Sequence, residues 1–408
     1  MKFLNKWGMA LIPALALATP AFAVNAVPDP TLNNSELPGS VIIFPKFVQG
    51  TVNVDGTPFS RTEIELGAVC PAGLVCLENT KVKVRAHWVC PGAEGVNSNI
   101  CNEQNFEITT LTINGKVIFS PDGTAIAGNP AFPAAPCARG YLIAWVENVN
   151  DLPVKFDALI GNAVIRGPAN TASALYGTGF STAVSAYMAI PIQANIIDQV
   201  ANPAVGGPTG PVLDQPLHFD AATGGYQKLT DVQIADVKFD KLTSGAGPAP
   251  NILSSTSLVF LTLDVRSGLP NNPVFLPLAF YNEKQALFSV DDYEFVCWDQ
   301  ASLASLDHFT GNLGQAFQTT RKGIVIAGPA NKIQTNVGDP DSGFSSLIEL
   351  VETNEGSGPA PAGNGFTERK YNFNMSNWCV QSIAPGSGTC PLDSTVVLTT
   401  VVSTTFVP

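Results

Sequence analysis

Paired carboxylates are the first place to look for acid–base or metal chemistry in this chain, which has only three histidines. Glu63 and Glu65 stand two residues apart in an alternating segment, so a strand would present both on one face about 7 Å apart. A retaining glycosidase instead holds its two carboxylates about 5–5.5 Å apart across a cleft, and the pair reads as the wet side of a sheet. Asp291 and Asp292 are a second pair. The third lies in Asn336–Gly343 (NVGDPDSG), where Asp339 and Asp341 offer oxygen ligands at alternate positions and form a candidate Ca²⁺ site. This loop lacks the acidic spacing and terminal glutamate of an EF-hand, which favours a plain Asx-turn. His87, His218 and His308 are too scattered for a metal triad. His87 falls on the polar face of its strand, the place of a solvated histidine rather than a general base. No G-x-S-x-G elbow or H-E-x-x-H helix occurs. Lys155–Asp157 and Gly161–Asn162 form no phosphate loop, and Gly161 is expected at a strand bulge. No catalytic residue, metal ligand beyond the Asp339/Asp341 candidate, or cofactor is assigned.

The eight cysteines contain no C-x-x-C or C-x-x-C-H, so haem and zinc ligation lack support. They read instead as a disulfide framework. Cys70 and Cys76, Cys90 and Cys101, and Cys379 and Cys390 each bracket a short turn-rich loop and are expected to pair locally. That leaves Cys137 and Cys297 as a long-range staple. Trp88, Trp145, Trp298 and Trp378 are candidates for a sugar-stacking platform. Trp88 lies on the apolar face of its strand, and three of the four neighbour a cysteine in sequence. Both points favour the core of a sandwich.

The elements that would carry these side chains are short strands. Val41–Phe44 is β-branched and aromatic. Glu63–Val69 and Lys81–Val89 alternate, the latter with Val82, Val84, Ala86 and Trp88 opposite Lys83, Arg85 and His87. Phe106–Ile113, Tyr141–Val146 and Leu159–Ile165 complete a first series. Thr230–Asp240, Leu258–Val265, Val274–Tyr281, Tyr293–Trp298, Gly323–Ala327 and Leu347–Val351 form a second. Arg139–Ala144 and Lys322–Ala327 share a basic residue and a glycine ahead of an apolar strand. The expected fold is all-β: two related antiparallel β-sandwich domains of immunoglobulin-like type joined by a Gly/Pro/Ala-rich connector. The boundaries are 41–167 for the first sandwich, 168–229 for a connector with little regular structure, and 230–408 for the second sandwich. A short helix is expected around Thr182–Ala189.

Residues 1–23 carry Lys2 and Lys6, an apolar stretch from Met9 to Ala18, and Ala21-Phe22-Ala23, the pattern of a cleaved signal peptide. An extended proline-bearing arm follows over 24–40. No later apolar run reaches the length of a transmembrane helix. With a net charge of −12 and 13% charged residues, the chain has no basic stripe for nucleic acid.

These features point to an exported, non-enzymatic protein with a structural, assembly or adhesion role, periplasmic, on the cell surface or extracellular. Its partners would be other envelope components or further copies of itself. Self-assembly would run through the apolar, charge-free Thr395–Phe406, which either pairs within its own sandwich or is donated to a neighbour. The alternatives are a module binding carbohydrate or another envelope component, and a secreted hydrolase with an acidic site.

Overall fold

A computed structural model describes residues 37–49, 51–52, 58–77, 80–91, 99–126, 128–166, 184–194, 226, 233–238, 252–263, 265, 270–282, 287–289, 292–302, 306, 322–328, 331–332, 343–344, 347–357 and 366–372. Residues 1–23, most of the 24–40 arm, His218, His308, Asp339, Asp341, Trp378, Cys379, Cys390 and Thr395–Phe406 lie outside them.

The described chain is strand and turn with almost no helix. The first half holds β1 Val41–Val48, β2 Thr51–Val52, β3 Pro58–Ala68, β4 Lys83–Cys90, β5 Asn102–Ile108, β6 Lys116–Phe119, β7 Arg139–Glu147, β8 Leu159–Arg166, β9 Val184–Met188 and β10 Ile190–Ile192. The second holds β11 Gln233–Lys238, β12 Ile252–Thr262, β13 Val274–Leu276, β14 Leu278–Asn282, β15 Leu287–Ser289, β16 Tyr293–Phe295, β17 Trp298–Ser302, β18 Lys322–Ala327, β19 Asn331–Lys332, β20 Gly343–Phe344, β21 Leu347–Ser357 and β22 Phe366–Asn372. The strands form antiparallel sheets in the orders β10-β1-β7-β4-β5, β2-β3-β8-β9 with β6 on β3, β17-β12-β21-β22, β11-β18-β14-β15, and β16-β13-β19-β20.

Burial explains the difference between the alternating and the continuous strands. In β4, Val84, Ala86 and Trp88 point toward the sheet of β3 and β8, into a core that includes Ile64, Leu66, Phe119 and Ala163. In β7 the whole run Gly140–Glu147 is buried, as is Val41–Phe47 of β1. Continuous apolar strands mark a sheet covered on both faces. The second cover comes from the other half: Val259 and Leu261 of β12, with Leu263, Val265, Cys297 and Trp298, belong to the same apolar core as the first sheets. The alternate residues of β12, Leu258 and Phe260, join a second core with Val237, Leu276, Phe280 and Val325. Strand β12 is therefore a wall shared by two cores.

Trp88 centres the first core. Its ring lies 5.0 Å from Phe47, 5.5 Å from Phe106 and 5.9 Å from Phe119. Close packing also accounts for two glycines. A Cβ on Gly140 would stand 2.1 Å from the Val89 carbonyl oxygen. Gly161 is not at a bulge: it keeps register opposite Leu66, and a Cβ there would meet the Phe44 ring at 2.6 Å. The register irregularity lies instead in β1, between Phe44 and Phe47.

The expected helix around Thr182–Ala189 is strand β9. Tyr187 is buried there between exposed Ala186 and Met188, a period of two that overrides the helix propensity of alanine. Segment 168–229 contributes β9 and β10, which pair with β8 and β1.

Among the described cysteines, Cys70 pairs with Cys76, Cys90 with Cys137, and Cys101 with Cys297. The last two replace the expected Cys90–Cys101 and Cys137–Cys297 bridges. Register is the reason. Cys90 stands opposite Asn102, one residue out of step with Cys101, and a one-residue offset sends the two side chains to opposite faces. Cys90 faces the core beneath β4, while Cys101 faces the second half.

Candidate functional site

Among the described residues, the polar face of β4 gathers a cluster of ionisable groups. Cross-strand register sets Lys83 opposite Glu147 and Arg85 opposite Trp145, with Arg85 opposite Glu107 on the other side. After β7 the chain turns at Asn148, whose side-chain oxygen accepts from the backbone N–H of Asn150 at 2.8 Å and Leu152 at 3.1 Å. This Asx-turn holds Asp151 at a positive φ of 62° and brings its carboxylate to the Lys83 ammonium, which donates to it.

Oxygens of Glu107, Glu147 and Asp151 lie within 4.8 Å of one another, a hard-oxygen set of the kind that binds divalent cations. Two cations of the chain itself already stand among them. Lys83 Nζ is 3.6 Å from Glu107 and 3.8 Å from Glu147. Arg85 donates to Glu107 at 2.6 Å and to Glu147 at 3.2 Å. The arrangement is an ion network joining β4, β5, β7 and the following turn.

Its titration follows from burial and pairing. Burial raises the Glu147 carboxyl above its usual range, with Arg85 and Lys83 opposing. Asp151 is held low by its hydrogen bond to Lys83. Burial works against the charges of Lys83 and Arg85, but hydrogen bonds to Asp151 and Glu147 respectively, with the surrounding carboxylates, outweigh it and raise both. A raised carboxyl near an ionised one is the arrangement of acid–base pairs, yet here each is tied to a cation and serves to hold the strands.

Arg85→Ala is expected to destabilise the protein by about 1–3 kcal/mol at pH 7, because it strips the strongest partner from a buried carboxylate. A raised folded pKa contributes stability below the group's unfolded value and loses it as pH rises through the folded one. The loss in the variant should therefore shrink toward pH 4, where Glu147 takes up a proton, and open again toward pH 7. Urea unfolding at both pH values checks this. An equal loss at the two would place the effect in lost packing alone.

His87 is not the solvated histidine expected. It is 1% exposed, with Nδ1 at 2.9 Å from Glu103 Oε2 and its ring stacked on Trp145 at 4.6 Å. Alternation shows which face a side chain takes, not whether a second layer covers that face. Among the described residues, His87 Nε2, Trp145 Nε1 and Glu147 Oε2 are buried without a hydrogen-bond partner.

The other sequence candidates among the described residues do not converge on this cluster. Glu65 pairs with Lys116 at 3.1 Å on a different sheet. Trp88, Trp145 and Trp298 are 0%, 3% and 2% exposed and form no platform. The Trp298 indole donates to the Pro45 carbonyl at 2.8 Å under the Arg139 guanidinium. Glu107, Glu147 and Asp151 were not singled out from sequence; the available signal was the carboxylate that closes β7 directly after an apolar run. Comparison with known proteins returns no matching family model and no similar curated protein.

Proposed function

We propose that this chain is an exported, non-enzymatic β protein with a structural, assembly or adhesion role at the cell envelope or beyond it. Its two halves would be related immunoglobulin-like sandwiches at 41–167 and 230–408. The observation that carries export is the disulfide set, above all Cys101–Cys297 with a sequence separation of 196, since such bridges persist in oxidising compartments. The N-terminal pattern of Lys2, Lys6, the apolar stretch and Ala21-Phe22-Ala23 agrees with it. Among the described residues no helix is long and apolar enough to cross a membrane. Relatedness of the halves draws support from β7 and β18. Each opens on a basic residue and a glycine, and each lies inside its sheet, β7 between β1 and β4 and β18 between β11 and β14. A non-enzymatic role draws support from the β4 cluster, where carboxylates that converge are bound to lysine and arginine.

Fractionation of native host cells tests the reading. The expected result is mature protein beginning near Val24 in an exported fraction, with its cysteines oxidised. Cytoplasmic protein retaining Met1–Ala23 and free thiols would overturn it. In-cell cross-linking tests the role: an envelope assembly containing the chain is expected, and recovery of the cross-linked sample purely as isolated chains would overturn assembly.

A further inference from the structure

The three described bridges differ in what their sulfurs meet. Cys101 and Cys297 are 0% and 1% exposed, sealed where the two halves touch. Cys90 is 1% exposed, and its partner Cys137 is half-buried. In Cys70–Cys76 both cysteines are half-buried at the surface, in a loop where Ala72, Gly73, Val75 and Leu77 are exposed. Thiol–disulfide exchange makes access to both sulfurs decisive. A thiolate attacks one sulfur of the bridge, and the other sulfur departs as a thiolate. Apolar surroundings disfavour a departing thiolate. Attack on Cys137 would therefore expel Cys90 into the core beneath β4, and Cys101–Cys297 opens neither sulfur to an attacker. Cys70–Cys76 meets both requirements.

The fold around this loop is held without the bridge. Before it, the Val69 N–H donates to the Ala158 carbonyl at 2.9 Å and the Ala68 N–H to the Gly115 carbonyl at 3.1 Å. After it, the Thr80 carbonyl accepts from the Ile113 N–H at 2.9 Å, and the Val82 N–H donates to the Leu111 carbonyl at 2.9 Å. Inside it, the Leu74 N–H closes a turn onto the Pro71 carbonyl at 3.1 Å, with Gly73 at a φ of 82° and Leu74 packed against the first core. The bridge closes a sequence separation of 6, against 47 and 196 for the other two, so opening it frees the least chain. Reduction here leaves β3 and β4 in place and releases a short arm around Cys76.

The two sulfurs are not equivalent. Cys76 stands between exposed Val75 and Leu77, whereas Cys70 precedes buried Pro71. Cys70 Sγ also lies 3.4 Å from the Leu74 carbonyl oxygen, whose partial negative charge repels an incoming thiolate.

We propose that Cys70–Cys76 is a thiol–disulfide exchange site whose substrate is an external dithiol attacking at Cys76. The dithiol's thiolate bonds to Cys76 Sγ as the Cys70–Cys76 bond breaks, and Cys70 leaves as a thiolate that takes up a proton. The second thiol of the reductant then attacks the sulfur of the first and expels the Cys76 thiolate, which is protonated in turn. Two electrons pass to the cysteine pair, and the dithiol becomes a disulfide. The site belongs to the folded, oxidised chain and stands whichever compartment that chain occupies.

Graded dithiothreitol treatment of the purified, oxidised protein, quenched with iodoacetamide and read by peptide mapping, tests the ranking. Cys70 and Cys76 are expected to be alkylated at least tenfold faster than Cys90, Cys101, Cys137 and Cys297. Tryptophan emission should stay unchanged while they react, because Trp88, Trp145 and Trp298 remain buried. Alkylation of Cys90 and Cys137 first would overturn the proposal. So would alkylation of Cys70 and Cys76 only in step with the others as the emission shifts, since that is reduction through global unfolding. A thioredoxin whose resolving cysteine is replaced by serine tests the direction of attack. It is expected to be recovered covalently linked to Cys76, and a link to Cys70 or Cys137, or no link, would overturn the assigned site.

Discussion

Trp88→Ala should cost about 3–5 kcal/mol of stability, the range for removing a large aromatic side chain from a packed core. Trp88 is fully buried and touches the rings of Phe47, Phe106 and Phe119, while Phe132 in turn packs on Phe106 at 5.5 Å and Phe119 at 5.2 Å. These rings come from β1, β5, β6 and the segment before β7, so no single neighbour can collapse into the space left. The indole also donates to the Pro133 carbonyl at 2.9 Å, which fixes the long segment leading to Cys137. Alanine would leave that carbonyl without its donor as well as a cavity. Trp88→Phe separates the two contributions: it keeps most of the packing, drops the hydrogen bond, and should cost about 1–2 kcal/mol. Urea unfolding of the oxidised proteins measures both. A loss below about 1 kcal/mol for Trp88→Ala would mean that the aromatic cluster rearranges freely, against the expectation for a close-packed interior.

That core was legible in the sequence because alternation is a local property. Val82, Val84, Ala86 and Trp88 share a face of the strand whatever else the chain does, and the structure buries all four. Most strands of both series were likewise readable from β-branched and aromatic runs, although Phe106–Ile113 is displaced to Asn102–Ile108, and Val274–Tyr281 and Tyr293–Trp298 each divide into two strands on different sheets. What failed depended on partners distant in the chain. His87 and Arg85 sit on the polar face of β4, yet the sheet of β12 lies over the same side of the first half, so a face that reads as wet is largely closed. The clue was β7, where Tyr141–Val146 is apolar at every position, a run a half-exposed strand would not carry. The ion network was invisible for a related reason. Glu107, Glu147 and Asp151 are separated by up to 44 residues in sequence, and only the pairing of β4 with both β5 and β7 brings them to Lys83 and Arg85. Cysteine connectivity failed by a single step of register between Cys90 and Asn102, a quantity that loop length does not determine.

Removing the Cys101–Cys297 bridge by a double serine substitution is expected to cost about 3–5 kcal/mol, with the chain-entropy account near the upper figure for so long a loop. The bridge spans a sequence separation of 196 and closes much of both halves into one covalent ring. The unfolded chain therefore gains a large freedom when the bridge is gone. The native contacts around it remain: the Asn271 amide donates to the Asn99 carbonyl at 2.9 Å, Ile100 bridges Pro270, and Trp298 still reaches Pro45. The variant should fold, with its halves docked but more easily parted. The Cys70–Cys76 bridge is the internal comparison, since a sequence separation of 6 predicts only about 2 kcal/mol in the same account. Urea unfolding of the two double-serine variants should thus rank them in that order, and limited proteolysis should cut the Cys101/Cys297 variant faster between the halves. If it loses no more than the Cys70/Cys76 variant, the long-range bridge does not constrain the unfolded state. The shared core along β12 would then hold the halves together without it.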